Sequence, residues 1–92
     1  MDSACDWLSE YLQQVVVCDL KDGFMVFGTL VEVGTDHLSL TDCDLHDQRE
    51  ANSTKDVYAI ETRSIGIRAN RTRCSIPRRM LVAISRLDEV RP

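Results

Sequence analysis

Residues 22–42, DGFMVFGTLVEVGTDHLSLTD, constrain this 92-residue chain more than any other stretch. A turn signal at Lys21-Asp22-Gly23 precedes four apolar residues, Phe24 to Phe27, and the run breaks at Gly28. Leu30 and Val33 then flank Glu32, a second turn falls at Gly34-Thr35-Asp36, and Leu38 and Leu40 alternate with Ser39 and Thr41. Alternation on both sides of a short Gly-containing turn predicts a β-hairpin with one buried face. Gly28 is either a weak point or a place where the strand bends sharply to serve two halves of a barrel. The length of the 24–33 run favours the bend.

The flanking sequence supplies the rest of a small β domain. Residues 3–13 predict an amphipathic helix: Ser3 caps it, Asp6 completes a capping-box-like pattern, and Leu8 and Leu12 share a stripe beside Trp7 and Tyr11. Val15 to Leu20 is short and rich in β-branched residues, hence a strand. Residues 43–54 are polar and aperiodic, a loop or a fraying strand extension. In 54–65, Val57, Ile60 and Ile65 recur near helical spacing, with Ser53 or Thr54 to cap and Gly66 to close. Val57 to Ile60 is also compatible with a strand. Residues 67–73 form a basic loop and 73–76 a fourth strand. Pro77, lacking a donor, stops the pairing there. A fifth strand covers 81–87, and 88–92 are a tail.

The chain is a single domain, short enough that burial on folding is marginal, and barrel closure or self-association would relieve that shortage. Its net charge is −4, but residues 1–62 hold 3 basic and 13 acidic side chains whereas residues 63–92 hold 8 and 2. All eight of those basic residues are Arg. Such a division suits either a polyanion on one face or pairing with the acidic part of the same or a neighbouring subunit. Cys5, Cys18, Cys43 and Cys74 are scattered without a C-x-x-C pair, so Cys18 and Cys74 are expected to act as small apolar residues. No segment resembles a signal peptide or a membrane span, and the expectation is a reduced, cytoplasmic protein without a membrane partner.

Two motifs resemble those of the Sm and Sm-like family. Residues 28–33 match the Gly-x-apolar-x-x-apolar opening of its first motif, and 38–42 match the alternating close on an acid. Gly34 stands where the family has Asp, and His37 near where it has Asn. Residues 76–84 approximate the second motif, apolar-Arg-Gly-x-x-apolar-x-apolar, with Arg79 in place of Gly. The resemblance implies a mostly β, strongly bent, five-stranded antiparallel barrel of SH3-like type, from a divergent bacterial-type member of the family. It would have a helix at 3–13, strands within 14–45 and 73–87, and an insert at 46–72 carrying a helix between strands 3 and 4. It further implies a homo-oligomeric ring, the fourth strand of one subunit pairing with the fifth of the next. The pore of such a ring binds single-stranded, often uridine-rich RNA, in RNA metabolism or as an RNA chaperone. Carried over by position, the RNA-binding residues are His37 and Arg78, with Asp36 and Arg79 adjacent.

Independently of the resemblance, Arg68, Arg71 and Arg73 add guanidinium groups able to hold phosphate or stack on bases. His37 is either a base-stacking group or simply a turn residue. Asp42, Asp44, His46 and Asp47 form the one metal-like grouping, and alternation would place Asp42 and Asp44 on one face. Their spacing matches no calcium loop, so a solvated strand end is the expectation, with no metal and no cofactor. No nucleophile–base arrangement or phosphate-cradling loop is present, which points away from an enzyme. The competing function is a homo-oligomeric structural or adaptor subunit whose acidic and basic faces meet between protomers.

Overall fold

The computed structural model describes residues 6–50 and 53–92. Five strands, β1 (Val15–Leu20), β2 (Phe24–Val33), β3 (His37–Asp47), β4 (Arg71–Pro77) and β5 (Leu81–Arg86), form one antiparallel sheet in the order β4-β3-β2-β1-β5. A helix, α1 (Lys55–Ile65), lies between β3 and β4. The two outermost strands, β4 and β5, do not pair with each other and leave both edges of the sheet open.

The bend in β2 has a steric cause. Gly28 is buried, and a Cβ there would lie 3.0 Å from the Thr41 carbonyl oxygen and 3.1 Å from the Cys43 Cβ. Glycine is therefore the residue that lets β3 close onto β2 at this point. The β2–β3 register shifts between Phe27 and Thr29, and again between Leu30 and Glu32. On the partner strand Asp42 takes a positive φ of 50°. The irregularity re-aims the chain, as bulges do in strongly curved sheets.

Both faces of the sheet are buried, which corrects the expectation of a single buried face. Val16, Cys18, Leu20, Val26, Leu30, Leu38, Leu40, Cys43 and Ile76 form the inner core. The intervening residues Val17, Met25 and Phe27 form a second cluster on the other face, with Ala59 of α1 and Leu87. The apolar run Phe24 to Phe27 thus reflects two-sided burial, the pattern expected when a helix covers a strand. Cys18 lies in the inner core as a small apolar group, its thiol pushed up to about 12 mainly by burial, and Cys74 packs partly buried against that core.

The predicted helix over 54–65 is present as α1. Thr54 caps it, accepting from the Val57 N–H at 3.2 Å, and Gly66, at φ 95°, closes it with a bond from its N–H to the Thr62 carbonyl. Other boundaries move. The N-terminal helix is a short 3₁₀ turn, Trp7–Tyr11, capped by Asp6, while the Ser3 cap and Cys5 lie outside the described residues. Leu8 of this turn is buried, and Tyr11 and Leu12 pack on the inner core. β3 continues to Asp47 instead of decaying after Asp42. β4 begins at Arg71 and includes Pro77, paired with His37, because an edge strand can end on a residue without a donor. Asp42 and Asp44 do not share an environment: Asp42 is exposed, whereas Asp44 is buried beneath α1.

Candidate nucleic-acid interface

The β2–β3 turn and the link between β4 and β5 meet at one end of the molecule. Register places His37 opposite Pro77, and the Arg78 N–H donates to the Asp36 carbonyl at 2.9 Å. Two distant stretches of sequence are therefore sewn together by backbone pairing, and Asp36, His37, Arg78 and Arg79 gather where they join.

The edge of the Arg78 guanidinium is largely engaged, with four hydrogen bonds for its five N–H groups. Its Nε and one terminal nitrogen donate to the Gly34 carbonyl at 3.0 and 2.6 Å, while both terminal nitrogens reach the Asp6 carboxylate. This hydrogen bonding holds the Asp6 carboxyl below the usual carboxylate range. A guanidinium bonded along its edge can still offer its faces for stacking. These bonds leave Arg78 few free N–H groups for a phosphate.

His37 is positioned by Gly34. A Cβ on Gly34 would fall 2.3 Å from His37 Cε1, so the imidazole occupies the space that any larger residue would fill. This explains glycine at the position where the resembling family has Asp. Both ring nitrogens face carboxylates: Nε2 lies 3.2 Å from Glu32 and Nδ1 3.3 Å from Asp36. Neutral imidazole has one N–H, so the doubly protonated ring fits this site best. The bond to Glu32, followed by that to Asp36, raises the His37 pKa, and the same contact lowers that of Glu32.

Glu32 also accepts from the Ser39 hydroxyl and from Arg73, each at 3.2 Å, and Ser39 bonds Ser75 at 2.8 Å. Arg73 is accordingly a neighbour of the site, already paired with a carboxylate. Arg79 is exposed, and among the described residues no carboxylate lies within ion-pair distance of it. Arg68 and Arg71 stand elsewhere. Arg71 is at the far end of β4, about 20 Å from Pro77 at strand rise. Arg68 lies over the Tyr58 ring at 6.0 Å.

Sequence reasoning missed Asp6 and Glu32. Asp6 was expected as the capping-box partner of Ser3, but in the structure it is the N-cap itself, accepting from the Leu8 N–H at 3.1 Å. Nothing local announced its second role across 72 residues of sequence. The acidic grouping around Asp44 is structural. Asp44 accepts from the Tyr58 hydroxyl and from Asn70 Nδ2, and Tyr58 stacks on His46 with ring centroids 3.7 Å apart. Among the described residues no three His, Cys, Asp or Glu side chains come close enough to hold a metal ion.

No protein-family model matches the chain, and no curated protein matches it in sequence. Solved structures do match. The Sm protein of Pyrococcus abyssii, in complex with a uridine heptamer, superimposes with a TM-score of 0.60 over 88% of this chain and 93% of that one, at 20% identity. A chain of the NatC complex bound to CoA gives 0.56 over 97% and 91%, also at 20% identity. A chain of the NatC complex bound to Gag peptide and CoA gives 0.53 over 84% and 86%, at 19% identity. The fold is the Sm fold, as the resemblance of the two motifs implies.

Proposed function

We propose that the chain binds single-stranded RNA by stacking an unpaired base at the junction of the β2–β3 turn and the β4–β5 link. The observation that carries this reading is the Arg78 guanidinium. Asp6 and the Gly34 carbonyl fix its edge, its plane is held still, and His37 lies against the same glycine. Single-stranded RNA is recognised largely through such planar partners. The uridine heptamer bound by the structurally similar Pyrococcus abyssii protein supports the assignment. Arg79, exposed and without a carboxylate partner among the described residues, takes the phosphate.

The protein acts in this reading as a binding module of RNA metabolism rather than an enzyme, in the cytoplasm, with no cofactor. It works as a homo-oligomeric ring in which β4 of one copy pairs with β5 of the next. Two open sheet edges in one small domain support this, since unpaired strand edges favour association.

The test is fluorescence anisotropy with a labelled short oligouridine, titrated against salt. Loss of one stacked base costs about 1–3 kcal/mol, so Arg78→Ala should weaken binding by about tenfold or more. Arg79→Ala should instead reduce the salt slope by about 0.7, the share of one phosphate contact on a single strand. Binding untouched by either change would refute the assignment.

A second reading is an adaptor subunit in a larger assembly, favoured by the match to chains of the NatC complex and by exposed apolar side chains. Ile65 of α1 is 66% exposed and Val82 of β5 is 65% exposed. Self-association without any response to oligouridine would favour it.

A further inference from the structure

Three of the arginines without a carboxylate partner among the described residues gather on a different part of the molecule. Arg78 is taken by Asp6 and Arg73 by Glu32, but Arg63, Arg86 and Arg91 have no ion pair among the described residues. Arg63 and Arg86 line a cleft of about 390 Å³ with Gln13, Gln14 and Asp88 and the apolar Val15 and Leu87. Arg63 and Asp88 also border a neighbouring cavity of about 370 Å³ that adds Glu89, Val90 and Arg91. The cleft shares no residue with the Arg78 site.

Its walls come from three separate elements, and each is held in place. Arg63, in the last turn of α1, donates to the Val90 carbonyl at 2.6 Å, which fixes its guanidinium at the boundary between the two cavities. Gln13 has a positive φ of 66°, a conformation uncommon for a side chain of this kind, and its N–H is pinned to the Leu30 carbonyl at 2.7 Å. The Leu30 N–H in turn bonds the Gln14 carbonyl at 3.0 Å. The backbone beneath the two glutamines is thereby anchored to β2, while their side-chain amides have no partner among the described residues.

The chemistry of the lining is mixed, and the mixture narrows the ligand. Two guanidinium groups suit a phosphate. A carboxylate beside them opposes a bare anion but accepts hydrogen bonds from adjacent hydroxyls, the way an acidic residue holds a ribose. Side-chain amides present a donor and an acceptor together, matching the edge of a base. The volume falls within the range of small-ligand pockets. We propose that this cleft, between the N-terminal turn, the end of β5 and the C-terminal end of α1, binds a ribonucleoside 5′-monophosphate. Arg63 and Arg86 hold the phosphate, Asp88 the ribose hydroxyls, and Gln13 and Gln14 the base. The site does not depend on the RNA reading, because a mononucleotide tests it without any oligonucleotide.

Isothermal titration of the full chain with the four ribonucleoside 5′-monophosphates, their 2′-deoxy counterparts and inorganic phosphate decides the matter. At least one ribonucleotide should bind saturably, and its deoxy counterpart should bind about tenfold more weakly. Arg86→Ala, at an exposed side chain with no bond to lose, should cost about tenfold in affinity while thermal unfolding stays unchanged. Asp88→Asn should shrink the preference for ribose. Four flat titrations would overturn the proposal. So would inorganic phosphate binding as tightly as the nucleotide, equal binding of ribose and deoxyribose forms, or an Arg86→Ala variant that binds like the parent.

Discussion

Gly34 and His37 act as a pair. The ring fills the space beside the glycine, so Gly34→Ala should push the imidazole away and break its bond to Glu32. The proton NMR shifts and titration of His37 should then approach those of an exposed histidine. The folded-state pKa of His37 is raised, so its contacts with Glu32 and Asp36 contribute fully below the ordinary value of 6.5 and fade as pH rises through the raised one. Denaturant midpoints should therefore fall on the alkaline side of that window in the parent and stay flat there in His37→Gln. Asp6 behaves in the opposite sense. Its pKa is lowered by Arg78, so that pair contributes above 3.8 and is lost as pH falls through the lowered value. Asp6→Asn should remove this acid-limb dependence in the same titration. A buried pairing sits further along the chain. Asp44 is 4% exposed, and Tyr58→Phe would take away one of its two side-chain donors. Such a loss costs about 1–3 kcal/mol, readable as a lower midpoint in urea.

At the level of elements, the hairpin centred on residues 22–42 was legible because alternation and turn residues are local signals. The helix of the insert was legible for the same reason, through Thr54 at one end and Gly66 at the other. The second core was written more faintly. The unbroken run from Phe24 to Phe27 carried it, but a short apolar run does not say which element will cover its far side. The answer depended on Ala59 and Leu87, which contact Val17, Met25 and Phe27 only after folding. The site was half legible for a similar reason: His37, Arg78 and Glu32 all lie in the motif stretches, but the Glu32–His37 pairing and the reach of Asp6 to Arg78 exist only in space. Gly28 allows a sharp check at this scale. Gly28→Ala should cost about 1–3 kcal/mol as overpacking against the Thr41 carbonyl and Cys43, with the far-UV spectrum of the folded state retained.

For the molecule as a whole, charge and topology act together. The arginine-rich last third is not a uniform basic face, because Asp6 and Glu32 neutralise its members nearest the β2–β3 turn. Among the described residues the arginines without an ion pair are scattered: Arg79 by the turn, Arg68 and Arg71 near the start of β4, and Arg63, Arg86 and Arg91 around the cleft. Light scattering at micromolar concentration should give a mass several times the 10.4 kDa of one chain, through pairing of β4 with β5. A strict 10.4 kDa species would remove the ring from the proposal and leave the Arg78 platform to be judged alone.

The sheet is lidded on its outer side by α1 and filled on its inner side by its own side chains, and its two margins are unpaired strand edges. In the proposed ring, growth by margin pairing would repeat the same rotation at every joint. Each added copy brings its own helix, so the finished contour would be studded with one helical boss per subunit. A partner that gripped those bosses could count the subunits without touching the hole they surround.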